Sequence, residues 1–104
     1  MADKLLSALS LCKKAGALTP GFDAVCGDAL KGKAALVLFA ADLSPGSRRR
    51  AARACEGACP LRDIPLTQQD VARITHRPVG ILAVTNQDLA ALCLASLPQE
   101  EEQI

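Results

Sequence analysis

The sequence contains no Trp, no Tyr and only two Phe, which limits how the chain can bind other molecules. Proteins that bind single-stranded RNA on the face of a sheet stack its bases on exposed aromatic rings. Phe39 lies in an apolar run and is expected to be buried. We therefore do not expect base stacking on a sheet face.

Long apolar segments are also absent. The longest apolar run, residues 34–41, is far shorter than the ~20 residues that a membrane-spanning helix needs. The N-terminal segment lacks the basic stretch, the apolar stretch and the cleavage site of a signal peptide. We therefore expect a cytoplasmic protein that does not associate with membranes.

The chain has a single histidine, His76, and an odd number of cysteines, which argues against a disulfide framework. Cys55 and Cys59 supply two thiols, whereas a structural zinc site needs four ligands. A Cys–His nucleophile would also need an orienting third group and an oxyanion site, and no motif supplies them. We expect no catalytic residue, no metal and no cofactor, with thiol chemistry at Cys55 and Cys59 as the one enzymatic alternative.

Positive charge is missing from the end of the chain. Residues 1–85 carry all 12 Lys and Arg and seven of the 11 acidic residues, a balance of +5. Residues 86–104 carry no basic residue and four acidic ones, a balance of −4. A basic body with an acidic tail at 98–104 fits an anionic partner such as nucleic acid, although solvated surface charge explains the same counts.

The apolar periodicity predicts five helices that alternate with four strands. Thr67 and Asp70 form the pattern of a capping box, and Gly16 and Gly32 follow helix ends. Alternating helices and strands predict an α/β fold in which helices cover both faces of a small sheet, in one domain over residues 1–97. The predicted helices cover residues 3–15, 19–32, 46–57, 67–74 and 86–96, and the predicted strands cover residues 17–19, 35–40, 61–66 and 79–84.

No glycine pattern matches a nucleotide-binding fingerprint. The turn at residues 16–21 leads into the second predicted helix, and a helix start offers free backbone N–H groups to a phosphate. A plain turn explains the same residues equally well. Basic side chains lie nearby in sequence, at Lys13, Lys14 and Lys31, and others lie at 48–50 and at Arg77.

Several segments of the sequence resemble one family of proteins. Residues 13–21, the apolar strand and turn at 35–45, and the segments 76–79 and 81–85 are similar to the L-seven-Ae ribosomal proteins, over roughly residues 5–94. The short bacterial YlxQ-like members resemble the chain most in length. The resemblance implies a three-layer α-β-α sandwich with a small mixed four-stranded sheet. It also implies a non-catalytic protein that binds structured RNA, either a kink-turn RNA or ribosomal RNA. If the partner is ribosomal RNA, the protein would associate with the ribosome.

The resemblance also implies which residues contact RNA. The family's G-x-N-E-x-x-K motif falls on residues 21–27, where Gly21 matches while Asp23, Ala24 and Gly27 replace Asn, Glu and Lys. These replacements motivate an alternative, a protein-interaction or scaffolding module of the same fold that has lost its specific RNA contacts. The residues expected to contact RNA are Lys13, Lys14, Gly21, Phe22, Asp23, Lys31, Ser44, Thr75, His76 and Arg77.

Overall fold

The structure is a computed structural model that describes the backbone of residues 2–97 and the side chains from Lys4 to Leu97. Helices and strands alternate in the described part of the chain, as the periodicity predicts. The predicted acidic tail, residues 98–104, lies outside the described residues. The elements are α1 (Ala2–Lys14), β1 (Leu18–Pro20), α2 (Phe22–Leu30), β2 (Leu36–Phe39), α3 (Pro45–Cys55), β3 (Leu61–Asp63), α4 (Gln68–Thr75), β4 (Ile81–Val84) and α5 (Gln87–Ala95).

The four strands form one mixed sheet in the order β1-β4-β2-β3. β4 is antiparallel to both of its neighbours, with Val84 opposite Leu18 in β1 and Ile81 opposite Phe39 in β2. β2 and β3 are parallel, with Phe39 opposite Asp63. The small mixed four-stranded sheet expected from the resemblance is confirmed.

Helices cover both faces of the sheet. Because both faces are covered, every residue of the two central strands is buried, which explains why β2 and β4 are continuous apolar runs. Alternate residues of the strands point to opposite faces and divide the core in two. One half packs α1, α4 and α5 against Leu36, Leu38, Leu82 and Val84, and the other packs α2 and α3 against Val37, Phe39, Ile81 and Ala83. The three-layer α-β-α sandwich is confirmed.

The two ends of the sheet carry different connections. At one end, which we call the front end, β1 leads to α2, β2 leads to α3, and the chain enters β4. The amide of Gly21 donates to the carbonyl of Ile81 (3.0 Å), and the amide of Ala40 donates to the carbonyl of Gly80 (2.9 Å). At the opposite end, the back end, the amide of Thr85 donates to the carbonyl of Ala17 (2.9 Å).

Two sequence predictions are wrong in detail. Thr19 and Pro20 belong to β1 rather than to the second helix, and the Thr19 hydroxyl donates to the Asp28 carboxylate (2.7 Å) instead of capping the helix. The third strand was predicted to extend to residue 66 but ends at Asp63, since past that point only single hydrogen bonds join it to the neighbouring segment. Within residues 2–97, no helix is long and apolar enough to cross a membrane.

Candidate nucleic-acid interface

The start of α2 depends on the conformation of Gly21. Its backbone angles, φ 102° and ψ 146°, lie where essentially only glycine is found. This conformation turns the chain from β1 into α2 in a single residue. In the described part of the chain, no side chain accepts a hydrogen bond from the amides of Phe22, Asp23 or Ala24. These amides and the helix dipole therefore give the start of α2 a partial positive charge.

The side chains of α2 add no positive charge to this position. The helix has Asp23 in its first turn and no basic residue in its last turn. Asp23 is exposed, and its carboxylate suits the helix dipole but repels a nearby phosphate. Ala24 and Gly27 have no polar side chain. An anion at the start of α2 would therefore bind backbone amides and side chains from other elements.

The turn between β2 and α3 is held at the front end by three contacts. The Asp42 carboxylate accepts a hydrogen bond from the backbone amide of Gln68 (2.9 Å), which ties the turn to the start of α4. Leu43 packs over Gly80, where an added Cβ would lie 2.5 Å from its side chain. The Ser44 hydroxyl accepts from the Ser47 amide (3.3 Å) and donates to the Ser47 hydroxyl (3.0 Å). Ser44 thus caps α3. This structural role is separate from the contact with RNA that the sequence predicts for it.

The loop from α4 to β4 begins with two conformationally restrained residues. The Thr75 hydroxyl lies 2.7 Å from the carbonyl of Arg77 and 3.2 Å from the carbonyl of Val71. His76 has φ +70°, in the left-handed region, where residues other than glycine are uncommon. His76 and Arg77 are exposed. Since Arg77 is four residues before Ile81, it lies within ~14 Å of the start of β4, which Gly21 contacts.

The three consecutive arginines of α3 have different surroundings. The Arg48 guanidinium donates to both carboxylate oxygens of Asp63, at 2.7 and 2.9 Å, and lies 5.0 Å from the ring centroid of Phe39. The hydrogen bond to Asp63 raises the pKa of Arg48. The Arg50 guanidinium lies 4.9 Å from the ring centroid of Phe22, the first residue of α2. Arg49 is exposed.

The lysines predicted to contact RNA lie elsewhere. Lys13 and Lys14 form the last turn of α1, next to the connection that reaches Ala17 at the back end. Lys31 follows α2, just before the chain returns to the back end, where the amide of Ala35 donates to the carbonyl of Val84 (2.7 Å). All three lysines are exposed. The structure thus places Gly21, Phe22, Asp23 and Ser44 at the front end, joins the loop at 75–77 to that end through residues 78–80, and separates these residues from Lys13, Lys14 and Lys31.

The cysteines are placed in the core and at its border. Cys12 and Cys93 are buried, with their sulfur atoms 3.7 Å apart between α1 and α5. Burial, together with the neighbouring thiols of Cys26 and Cys59, raises the pKa of Cys55 to about 11, which opposes formation of a reactive thiolate. Among the described residues, no group of three or more His, Cys, Asp or Glu could hold a metal ion.

No protein-family model and no curated protein matches the chain. Solved structures match its fold. A protein of unknown function from Bacillus halodurans is 20% identical, with a TM-score of 0.81 over 89% of this chain and 95% of that chain. A 15.5 kD RNA-binding protein from Giardia lamblia is 22% identical, with a TM-score of 0.73 over 90% of this chain and 81% of that one. The α-β-α sandwich described above is therefore a fold that an RNA-binding protein also has.

One feature of the front end was missed by the sequence reasoning. The arginines at 48–50 are one basic cluster in the sequence, but the partners of Arg48 and Arg50 lie far away along the chain. Arg48 is 15 residues from Asp63, and Arg50 is 28 residues from Phe22. Only the packing of α3 beside α2 and β3 shows that one arginine is paired while another lies at the start of α2.

Proposed function

We propose that this protein binds structured RNA through the front end of its sheet and has no catalytic activity of its own. Three segments would form the interface: the start of α2 at residues 21–23, the turn capped by Ser44, and the loop at residues 75–77. The start of α2 and the turn before α3 are held against the start of β4 by hydrogen bonds and packing, and the loop at 75–77 is restrained by the bonds of Thr75, so the interface is largely formed before RNA binds. A surface formed in advance loses little conformational entropy on binding.

The observation that carries the proposal is that the start of α2 and the turn before α3 lie at the end of the sheet where the loop at 75–77 enters β4, in a fold shared with an RNA-binding protein. The Giardia lamblia protein has this sandwich over nine-tenths of the present chain. The segments are far apart in sequence, yet hydrogen bonds from Gly21 to Ile81 and from Ala40 to Gly80 hold the first two against the start of β4, into which the loop at 75–77 leads. The position of this surface supports RNA as the partner, because it combines free amides with exposed polar and basic side chains.

Each segment has a distinct role in this proposal. The amides at the start of α2 would contact phosphate, with Gly21 allowing close approach. His76 and Arg77 would contact phosphate or an unstacked base, positioned by the Thr75 hydroxyl. The lysines at 13, 14 and 31, at the back end, would attract RNA without sequence preference. A binder of this type discriminates RNA by shape more than by base identity.

For the class of RNA, we propose a sharply bent RNA of the kink-turn or ribosomal kind. The resemblance of residues 13–21 and 76–79 to the L-seven-Ae proteins supports this choice. The replacements at Asp23, Ala24 and Gly27 reduce the number of side chains that could read a base edge. Each such contact is worth about 1–3 kcal/mol in the DNA complexes where it has been measured. Binding would therefore be weaker and more dependent on backbone contacts.

The test compares a kink-turn RNA with an unbent duplex of equal length, at low and at moderate salt. Arg77→Ala should weaken binding to the kink-turn RNA about tenfold, the effect of one lost charge-assisted contact. Arg73→Ala is the matched control, since Arg73 is also an exposed arginine, on α4 and four residues earlier. Equal losses for both variants, or no binding of either RNA by the native protein, would refute the proposal.

A second candidate function is supported by a different surface. Leu11 and Leu92 are large apolar side chains with 49% and 40% of their surface exposed. They line one groove between α1 and α5, on the side of the sheet opposite to α2 and α3. Such a surface suits a protein partner and supports the alternative of a protein-interaction module. Leu11→Ser with Leu92→Ser should abolish a stable protein complex while leaving RNA binding unchanged.

A further inference from the structure

Among the described basic side chains, only Arg50 lies against the first residue of α2. Its guanidinium lies 4.9 Å from the ring centroid of Phe22, and Phe22 is the first residue of α2. Arg50 is exposed while Phe22 is partly buried, so the cation lies over the solvent side of the ring. The arrangement holds a positive charge beside the first turn of α2, although the residue that carries it belongs to α3.

The charges around this position explain why an arginine from another helix matters. α2 itself presents Asp23 and no basic side chain in its first turn. The neighbouring cation Arg48 is already neutralised by Asp63, in the only ion pair among the described residues. Arg50 has no acidic partner within the described part of the chain. Its charge is therefore available to an anion at the start of α2.

We infer that Arg50, held over the ring of Phe22, contacts a phosphate group of the bound RNA at the start of α2. The inference rests on the proposed function and gives a specific contact to Arg50, which the sequence indicates only as part of the basic cluster at 48–50. A guanidinium presents several N–H donors in one plane and binds phosphate oxygens in pairs. Contact with the ring restricts the rotamers of Arg50 and reduces the entropy lost when it binds.

Phe22 is a positioning residue in this arrangement. The ring has no hydrogen-bonding group of its own and acts by holding the guanidinium. Phe22→Leu keeps an apolar side chain at the position but removes the π face. Phe22→Tyr keeps the π face, so it should preserve binding.

The experiment measures the affinity of the full chain for one kink-turn RNA over a range of salt concentrations. Arg50→Ala should weaken binding about tenfold, as expected for one charge-assisted contact, and should lower the slope of log affinity against log salt by about one. Arg49→Ala is the matched control, because it removes an exposed arginine from the adjacent position of the same helix. It should change affinity by less than about threefold, the effect of a general loss of charge.

A double-mutant cycle tests the role of Phe22. Phe22→Leu should weaken binding about threefold in the native background but leave the affinity of the Arg50→Ala variant unchanged, because the two residues act as one unit. Full additivity of the two losses would overturn the positioning role. Thermal unfolding of each variant separates a loss of contact from a loss of fold.

The outcomes also separate this inference from the proposed function. If the native protein binds and Arg77→Ala weakens binding, but Arg50→Ala behaves like Arg49→Ala, the inference alone is overturned. An affinity loss in Arg50→Ala without a change in salt slope would equally overturn the phosphate contact. If the native protein binds neither RNA, the proposed function itself has failed.

Discussion

The hydroxyl of Thr75 lies 2.7 Å from the carbonyl oxygen of Arg77, and this bond closes the loop that leads from α4 to β4. The same hydroxyl lies 3.2 Å from the carbonyl of Val71, one turn earlier in α4. Thr75 therefore connects the end of the helix to the backbone of the exposed arginine. The loop is held in shape by a side chain that is only partly buried.

Thr75→Val should weaken RNA binding severalfold, because the variant keeps the shape of the side chain and loses the donor. The free energy of unfolding should fall by about 1 kcal/mol, the usual net value of one hydrogen bond. Thr75→Ser retains the hydroxyl and should bind like the native protein. Titration of RNA with both variants checks this, and equal affinities of the valine and serine variants would contradict the role of the loop.

His76→Gly should stabilise the protein while weakening RNA binding. A non-glycine residue in the left-handed region costs about 1–2 kcal/mol, and glycine is the usual residue at this position after a helix. Urea unfolding should show a gain of about 1 kcal/mol at most, since glycine also adds freedom to the unfolded chain. A gain in stability without any loss of affinity would show that the imidazole does not contact RNA.

Asp63→Ala should strengthen RNA binding. The variant frees the guanidinium of Arg48 and removes a negative charge near the front end. Both partners are well exposed, at 44% and 61%, so the free energy of unfolding should fall by no more than about 0.5 kcal/mol. Asp88→Ala, which removes an exposed acid from the first turn of α5, is the control for net charge. Equal gains in affinity for the two variants would mean that Arg48 itself makes no new contact.

Stability should decline between pH 9 and 11 because of Cys55. Its pKa in the folded protein is raised to about 11 from an ordinary value of 9.0, so the unfolded chain loses the proton first. Below pH 9 the thiol is protonated in both states and the stabilisation is fully present; it is lost as pH rises through the folded pKa. Chemical denaturation across this range measures the slope. Cys55→Ala should have a shallower slope, although its stability at neutral pH is lower because the side chain is buried.

Much of the fold could be predicted from the sequence because its signals are local. The capping box of Thr67 and Asp70 is present, and Asn86 caps α5 by accepting from the Leu89 amide. The buried runs at β2 and β4 have no polar residue that would fit an exposed strand. The order of the strands is not local, since β1 pairs with β4, more than 60 residues away in sequence. In the absence of the resemblance, nothing in the residues themselves selects this pairing.

The candidate site could be predicted only in part, for a similar reason. Gly21 and the segment at 75–77 can be recognised from the sequence, and the structure links them through the hydrogen bond from Gly21 to Ile81, four residues after Arg77. Charge counting cannot distinguish Arg48 from Arg50, because the difference lies in Asp63 and Phe22, on other elements. It also cannot show that Lys13 and Lys31 lie beside the other end of the sheet. The chemistry of a charged residue is set by its neighbours, which only the packing supplies.

The position of β4 at the centre of the sheet has a consequence for how the chain is made. β1 and β2 are synthesised early, but they do not pair with each other, since β4 lies between them. β4 follows the other three strands in the chain, so β1 can join β2 and β3 only after β4 has been made. Until then, the apolar runs of the early chain lack the partner that buries them. β2 and β3 can pair before β4 is made, but β1 stays separate from that pair until β4 is inserted between them, so the sheet closes only when its last strand arrives.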